Sequence, residues 1–111
     1  MSLPKSPLAY ADCQEFLDLA MGDAQGARRF IGADYQPASY FRFRCLNYRV
    51  LDREANARLY PEGHKMYGMS IYDNLYLTIE QDTENNFWVY AQKRILPAGE
   101  IETLSEANNG N

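Results

Sequence analysis

The sequence is poor in the residues from which reactive sites are built. His64 is the only histidine, and Cys13 and Cys45 are the only cysteines. One histidine without a second histidine or a cysteine pair does not make a zinc site. Two cysteines with no C-x-x-C spacing make neither a redox motif nor a disulfide framework. Both lie in apolar patterns and read as small hydrophobes rather than as a bridge. No glycine-rich phosphate loop, G-x-S-x-G or H-E-x-x-H motif occurs. The stretch Asp82-Thr-Glu-Asn-Asn86 holds oxygen ligands but lacks the spacing and bidentate glutamate of a calcium loop. These absences point away from an enzyme, a metal and a cofactor. No apolar run approaches the roughly 18 residues of a membrane span. Lys5 is followed by only a short apolar run before Asp12, so no secretory leader is expected. The reading is a cytoplasmic protein.

Charge is present but unevenly spread. The net charge is -4. Residues 28–61 carry seven Arg against Asp34, Asp52 and Glu54, while the segments on either side are acidic. An acidic whole argues against nucleic-acid binding, which rests on neutralising phosphates. The basic middle finds its answer in the chain's own acids or in an acidic partner. Aromatics reach 14%, with nine Tyr. Tyr suits half-buried positions and contact surfaces, because it joins a large apolar ring to a polar tip.

The order of patterns predicts an α+β fold. An N-terminal helix and a long central helix pack on a small antiparallel sheet, a hairpin with room for a third strand. Ser6-Pro7 reads as a cap and first turn, and the apolar residues from Leu8 to Met21 recur at helical spacing up to Gly22. Asp23 to Gly26 is read as capping a short second helical piece that reaches Phe30 and Ile31. From Pro37 to Tyr60, Ala38, Phe41, Cys45, Tyr48, Leu51, Ala55 and Leu59 follow steps of three or four. This predicts a helix with Phe41, Cys45, Tyr48, Ala55 and Leu59 in the core. Residues 40–46 also alternate as a strand would, but the helical spacing covers far more of the chain. Residues 61–74 read as a loop. Residues 75–81 and 87–93 alternate with period two about the Asp82–Asn86 turn. A third strand is expected at 100–104. The domain is taken as 1–104, with 105–111 a flexible polar tail.

Pairing 81 with 87 puts Leu77, Ile79, Val89 and Ala91 on one hairpin face and Tyr76, Trp88 and Tyr90 on the other. The first face is the natural core. The aromatic face is the expected partner-binding site, since Tyr, Trp and Arg dominate interface hot spots. Arg42, Arg49 and Arg53 lie along one side of the central helix and are expected to steer the partner, a second copy or another protein. The function expected is therefore non-enzymatic protein binding. A small acidic protein of this kind suits an accessory factor or inhibitor carried by a mobile element, an integron cassette or a phage. The alternative is a small-molecule pocket or modest enzyme between the central helix and the 61–74 loop, lined by Asp52, His64, Tyr67 and Tyr72.

Overall fold

The computed structural model describes residues 3–94. A short 3-10 turn, Pro7–Tyr10, leads into helix α1, Ala11–Met21. The Ser6 hydroxyl accepts from the Leu8 N–H at the start of the turn. Gly22 closes the helix, its N–H donating to the carbonyls of Asp18 and Leu19. Strand β1 is Ala27–Gly32 and helix α2 is Tyr35–Leu59. A 3-10 turn at Ile71–Asn74 precedes strands β2, Leu75–Gln81, and β3, Phe87–Lys93. The three strands are antiparallel in the order β1-β3-β2.

The α+β architecture and the hairpin are as the sequence predicts. Gln81 pairs with Phe87, and Leu77 and Ile79 face Ala91 and Val89. Asp82 builds the turn, its Oδ1 accepting from the N–H groups of Glu84 and Asn86. Asn85 takes a φ of 66° there, a conformation asparagine tolerates.

Strand β1 overturns the reading of its segment as a second helical piece. The strand expected at 100–104 and the tail at 105–111 lie outside the described residues. Pairing with β3 decides the matter. Ala27 lies opposite Ala91, Arg29 opposite Val89 and Phe30 opposite Trp88. Gly26 admits the chain to this position. Its φ is 85°, and a Cβ there would sit 2.3 Å from the Ala91 carbonyl oxygen.

Both helices pack on the inner face of the sheet. Cys13, Phe16, Leu17 and Ala20 of α1 meet Ala38, Phe41 and Cys45 of α2 over Leu75, Leu77, Val89 and Ala91. Phe16 and Phe41 meet edge-on with ring centroids 5.5 Å apart. The two cysteines are buried and free, as read. Residues 40–46 are helical throughout. Ala55 and Leu59, expected in the core, are exposed, Leu59 at 71%. Geometry explains this. A helix of 25 residues runs about 37 Å, whereas a seven-residue strand runs about 23 Å. The last turns of α2 therefore overhang the sheet.

The helices are also tied by polar contacts. Arg44 grips Asp12 with two N–H groups at 2.9 and 2.6 Å, and this holds the Asp12 carboxyl below its ordinary pKa. Tyr10 is fully buried, and its hydroxyl accepts from Asn47 and donates to the Pro4 carbonyl.

Candidate functional site

The outer face of the sheet gathers the aromatic residues. Alternation sends Tyr76, Trp88 and Tyr90 outward, opposite the core residues. The added strand brings Arg28 and Phe30 to the same face, since Arg28 pairs with Tyr90 and Phe30 with Trp88. Cross-strand neighbours then form rows: Phe30, Trp88, Glu80, and beside them Arg28, Tyr90, Thr78. Phe30 is 52% and Tyr76 40% exposed, and Trp88 and Tyr90 are half-buried among their neighbours.

Trp88 is held on three sides. Phe30 meets the indole edge-on, with centroids 5.2 Å apart at 79°. The Arg28 guanidinium carbon lies 4.3 Å from the indole centroid, a cation–π geometry. The indole N–H donates to Asp82 Oδ2 at 2.7 Å. That bond, with the turn N–H groups, lowers the Asp82 pKa, because each donor favours the carboxylate. A large ring fixed in this way loses little freedom when something packs on it.

The arginine stripe lies elsewhere. Arg42, Arg49 and Arg53 project from α2, on the opposite side of the sheet from the aromatic face. Arg42 Nε donates to the Leu77 carbonyl at 2.9 Å, and Arg49 Nη1 donates to the Leu75 carbonyl at 2.8 Å. Arg53 donates to Asp73 Oδ1 at 2.7 Å through Nε. All three thus have partners within the chain. The acid is Asp73, which also accepts from the Ser70 N–H in a capping box. Burial lowers the Arg49 pKa, with Arg53 next to it acting in the same direction.

The four pocket candidates separate. Tyr72 is buried, and its hydroxyl donates to Asp18 of α1 at 2.5 Å. Its ring lies 5.9 Å from that of Tyr48. Asp52 is half-buried on α2 and adds negative potential around both phenols. His64 and Tyr67 are exposed. His64 stacks on Tyr60 at 4.4 Å, and its Nδ1 accepts from the Met66 N–H. No hydrogen bond or ring contact joins these four to one another among the described residues.

The sequence does not point to Phe30 and Arg28, because their segment reads as helical. The signal was the outward pair Arg28 and Phe30 alternating with Ala27, Arg29 and Ile31. Among the described residues no three His, Cys, Asp or Glu side chains gather as a metal site would require. No helix among them is long and apolar enough to cross a membrane. No family model, curated protein or solved structure matches the chain.

Proposed function

We propose that this chain is a non-enzymatic protein-interaction module that docks a partner protein on the outer face of its sheet. The observation that carries the reading is Trp88, fixed by Phe30, Arg28 and Asp82 at the centre of a face that no described element packs against. Aromatic anchors near the middle of a patch dominate binding energy, and a ringed anchor excludes water well. Tyr90 and Tyr76 widen the patch, and Arg28 supplies the charge for steering. The arginines of α2 are engaged with β2 and Asp73, so Arg28 takes the steering role expected of them. The partner carries an apolar pocket or patch for Trp88 and Phe30, with an acid to meet Arg28. Two free buried cysteines suit a reducing compartment, which favours the cytoplasm. An accessory factor or inhibitor would act in this manner, by covering a surface of its target.

The test compares the wild type with Trp88→Ala. Tagged protein expressed in its source, or in a near relative of it, is recovered and weighed by native mass spectrometry. The expected result is a stable complex for the wild type that Trp88→Ala weakens at least tenfold, while the domain stays folded with a loss well below the roughly 3 kcal/mol of a core aromatic. If Trp88→Ala instead destabilises the fold by about 3 kcal/mol or more, as truncation of a core aromatic does, the face is structural and the reading fails.

A further inference from the structure

The sheet has two edges, and they are treated differently. The outer edge of β2 is occupied where it is closest to α2, since Arg49 and Arg42 take the outward carbonyls of Leu75 and Leu77. The outer edge of β1 has no such cover among the described residues. Hydrogen-bond phase identifies its free groups. Asp82 bonds Asn86, and Arg94 bonds Asn74. Even-numbered residues of β3 therefore point their backbone groups at β2, and odd-numbered ones point at β1. Val89 and Ala91 serve Arg29 and Ala27, so the N–H and C=O groups of Arg28 and Phe30 face outward. An exposed row of this kind is a template for another strand.

The edge is also flanked by a groove. A cavity of about 330 Å³ lies between α1 and β1, with Phe16, Leu19 and Phe30 as its apolar wall. Leu19 is 62% exposed. The charges in the groove come from Asp12 and Glu15 on α1 and Arg28 and Arg29 on β1. Asp12 is already held by both Arg44 donors and stands 3.9 Å from Arg29. Arg28 has no carboxylate within salt-bridge distance among the described residues. Arg28 lies over Trp88 and acts on Asp82 only at longer range, so it is the edge arginine whose charge is left to be answered.

A second copy answers it poorly. Antiparallel pairing of β1 with itself about a two-fold axis sets one residue opposite its own equivalent. Centred on Arg28 or Arg29, it opposes two guanidiniums, which is destabilising. Centred on Phe30, it must run through the register irregularity between Phe30 and Gly32.

We infer that the open edge of β1 receives an extended acidic segment of another protein, added as a fourth, antiparallel strand beside α1. This rests on the reading of the chain as a protein-binding module, but uses the strand's edge rather than its aromatic face. Read from its N-terminal side, the incoming strand places an apolar residue opposite Phe30 and acids opposite Arg29 and Arg28. Main-chain hydrogen bonds to Arg28 and Phe30 supply affinity, and the side chains supply selectivity.

The probe is a ten-residue peptide with Val-Glu-Glu at its centre and alternating Thr and Val on either side, titrated into the isotope-labelled full chain. Amide shifts are expected at residues 27–32 and at Phe16 and Leu19. N-methylation of the peptide's alternate amides facing β1 removes its ladder donors and is expected to weaken binding at least tenfold. Arg28→Glu should weaken this peptide and favour its Val-Lys-Lys counterpart. Tyr76 lies on β2, the strand farthest from β1, so Tyr76→Ala should disturb the aromatic face and leave the peptide bound, and failure of the edge and failure of the aromatic face are told apart. The inference is overturned by no shift at about 1 mM peptide, or by binding that ignores N-methylation. It is equally overturned if the same amides are protected by self-association, or if the peptide binds only after residues 95–111 are removed. Those two results assign the edge to a second copy and to the chain's own end, respectively.

Discussion

The indole N–H of Trp88 donates to the carboxylate of Asp82 across the hairpin at 2.7 Å. Trp88 is the only tryptophan, so tryptophan fluorescence reports the surroundings of this one ring. Asp82 has a lowered pKa, with the Trp88 donor as its first cause and the Asn86 N–H next. A lowered carboxylate pKa adds stability above its unfolded value, and that is lost as pH falls through the folded value. An acid titration of the fluorescence should therefore show a midpoint below that of an ordinary aspartate. Asp82→Asn should abolish the transition. A midpoint at the ordinary value would mean that the bond does not persist in solution.

The buried phenols act at the other end of the pH scale. Burial raises the pKa of Tyr72, and its bond to Asp18 acts in the same direction. Burial also raises that of Tyr48. A raised pKa keeps its stabilising contribution below the unfolded value, about 10 for tyrosine, and loses it as pH rises towards the folded value. Denaturant midpoints should fall above about pH 10. Tyr72→Phe should lower stability at neutral pH by about 1–2 kcal/mol and flatten the alkaline decline. An alkaline decline unchanged in Tyr72→Phe would place its cause elsewhere.

Two leucines on regular elements should respond in opposite ways. Leu17 is almost wholly buried under the sheet, and Leu59 is 71% exposed on the overhang of α2. Leu17→Ala should cost about 2–5 kcal/mol in urea unfolding, and Leu59→Ala less than about 0.5 kcal/mol. Similar losses at both would require the end of α2 to be covered.

Gly26→Ala tests the entry to β1. The new methyl would meet the Ala91 carbonyl oxygen at 2.3 Å, and the residue would have to hold a φ of 85°. A loss above about 1 kcal/mol is expected. The cross-strand amides of Ala27 and Arg29 should lose hydrogen-exchange protection first. Full stability would show that β1 can shift without harm.

The elements legible in the sequence are those whose signal is local and long. The hairpin over 75–81 and 87–93 follows from alternation and a strong turn, and its bounds match the observed strands. Both helices follow from stripes of apolar residues. β1 was not legible because Ala27–Gly32 is short and places one arginine on each face, which blurs the alternation. Its state is set by β3, some sixty residues later, as tertiary context often overrides local preference. The stripe on α2 reached Ala55 and Leu59 because periodicity describes a face, not whether anything lies beneath it. Of the aromatic site, Tyr76, Trp88 and Tyr90 were visible from the hairpin, while Arg28 and Phe30 were hidden with β1. The arginine contacts were out of reach, since carbonyl acceptors leave no mark on side-chain sequence.

The arginine cover on β2 bears on stoichiometry. A sheet with two free margins behaves as a bifunctional monomer: each addition leaves a fresh end, and the product is a fibre. Arg42 and Arg49 make this sheet monofunctional in that sense over Leu75–Leu77. Edge-to-edge stacking of copies of this chain is thereby hindered at one of its two margins, so that the chain is poorly suited to propagate a fibre through β2.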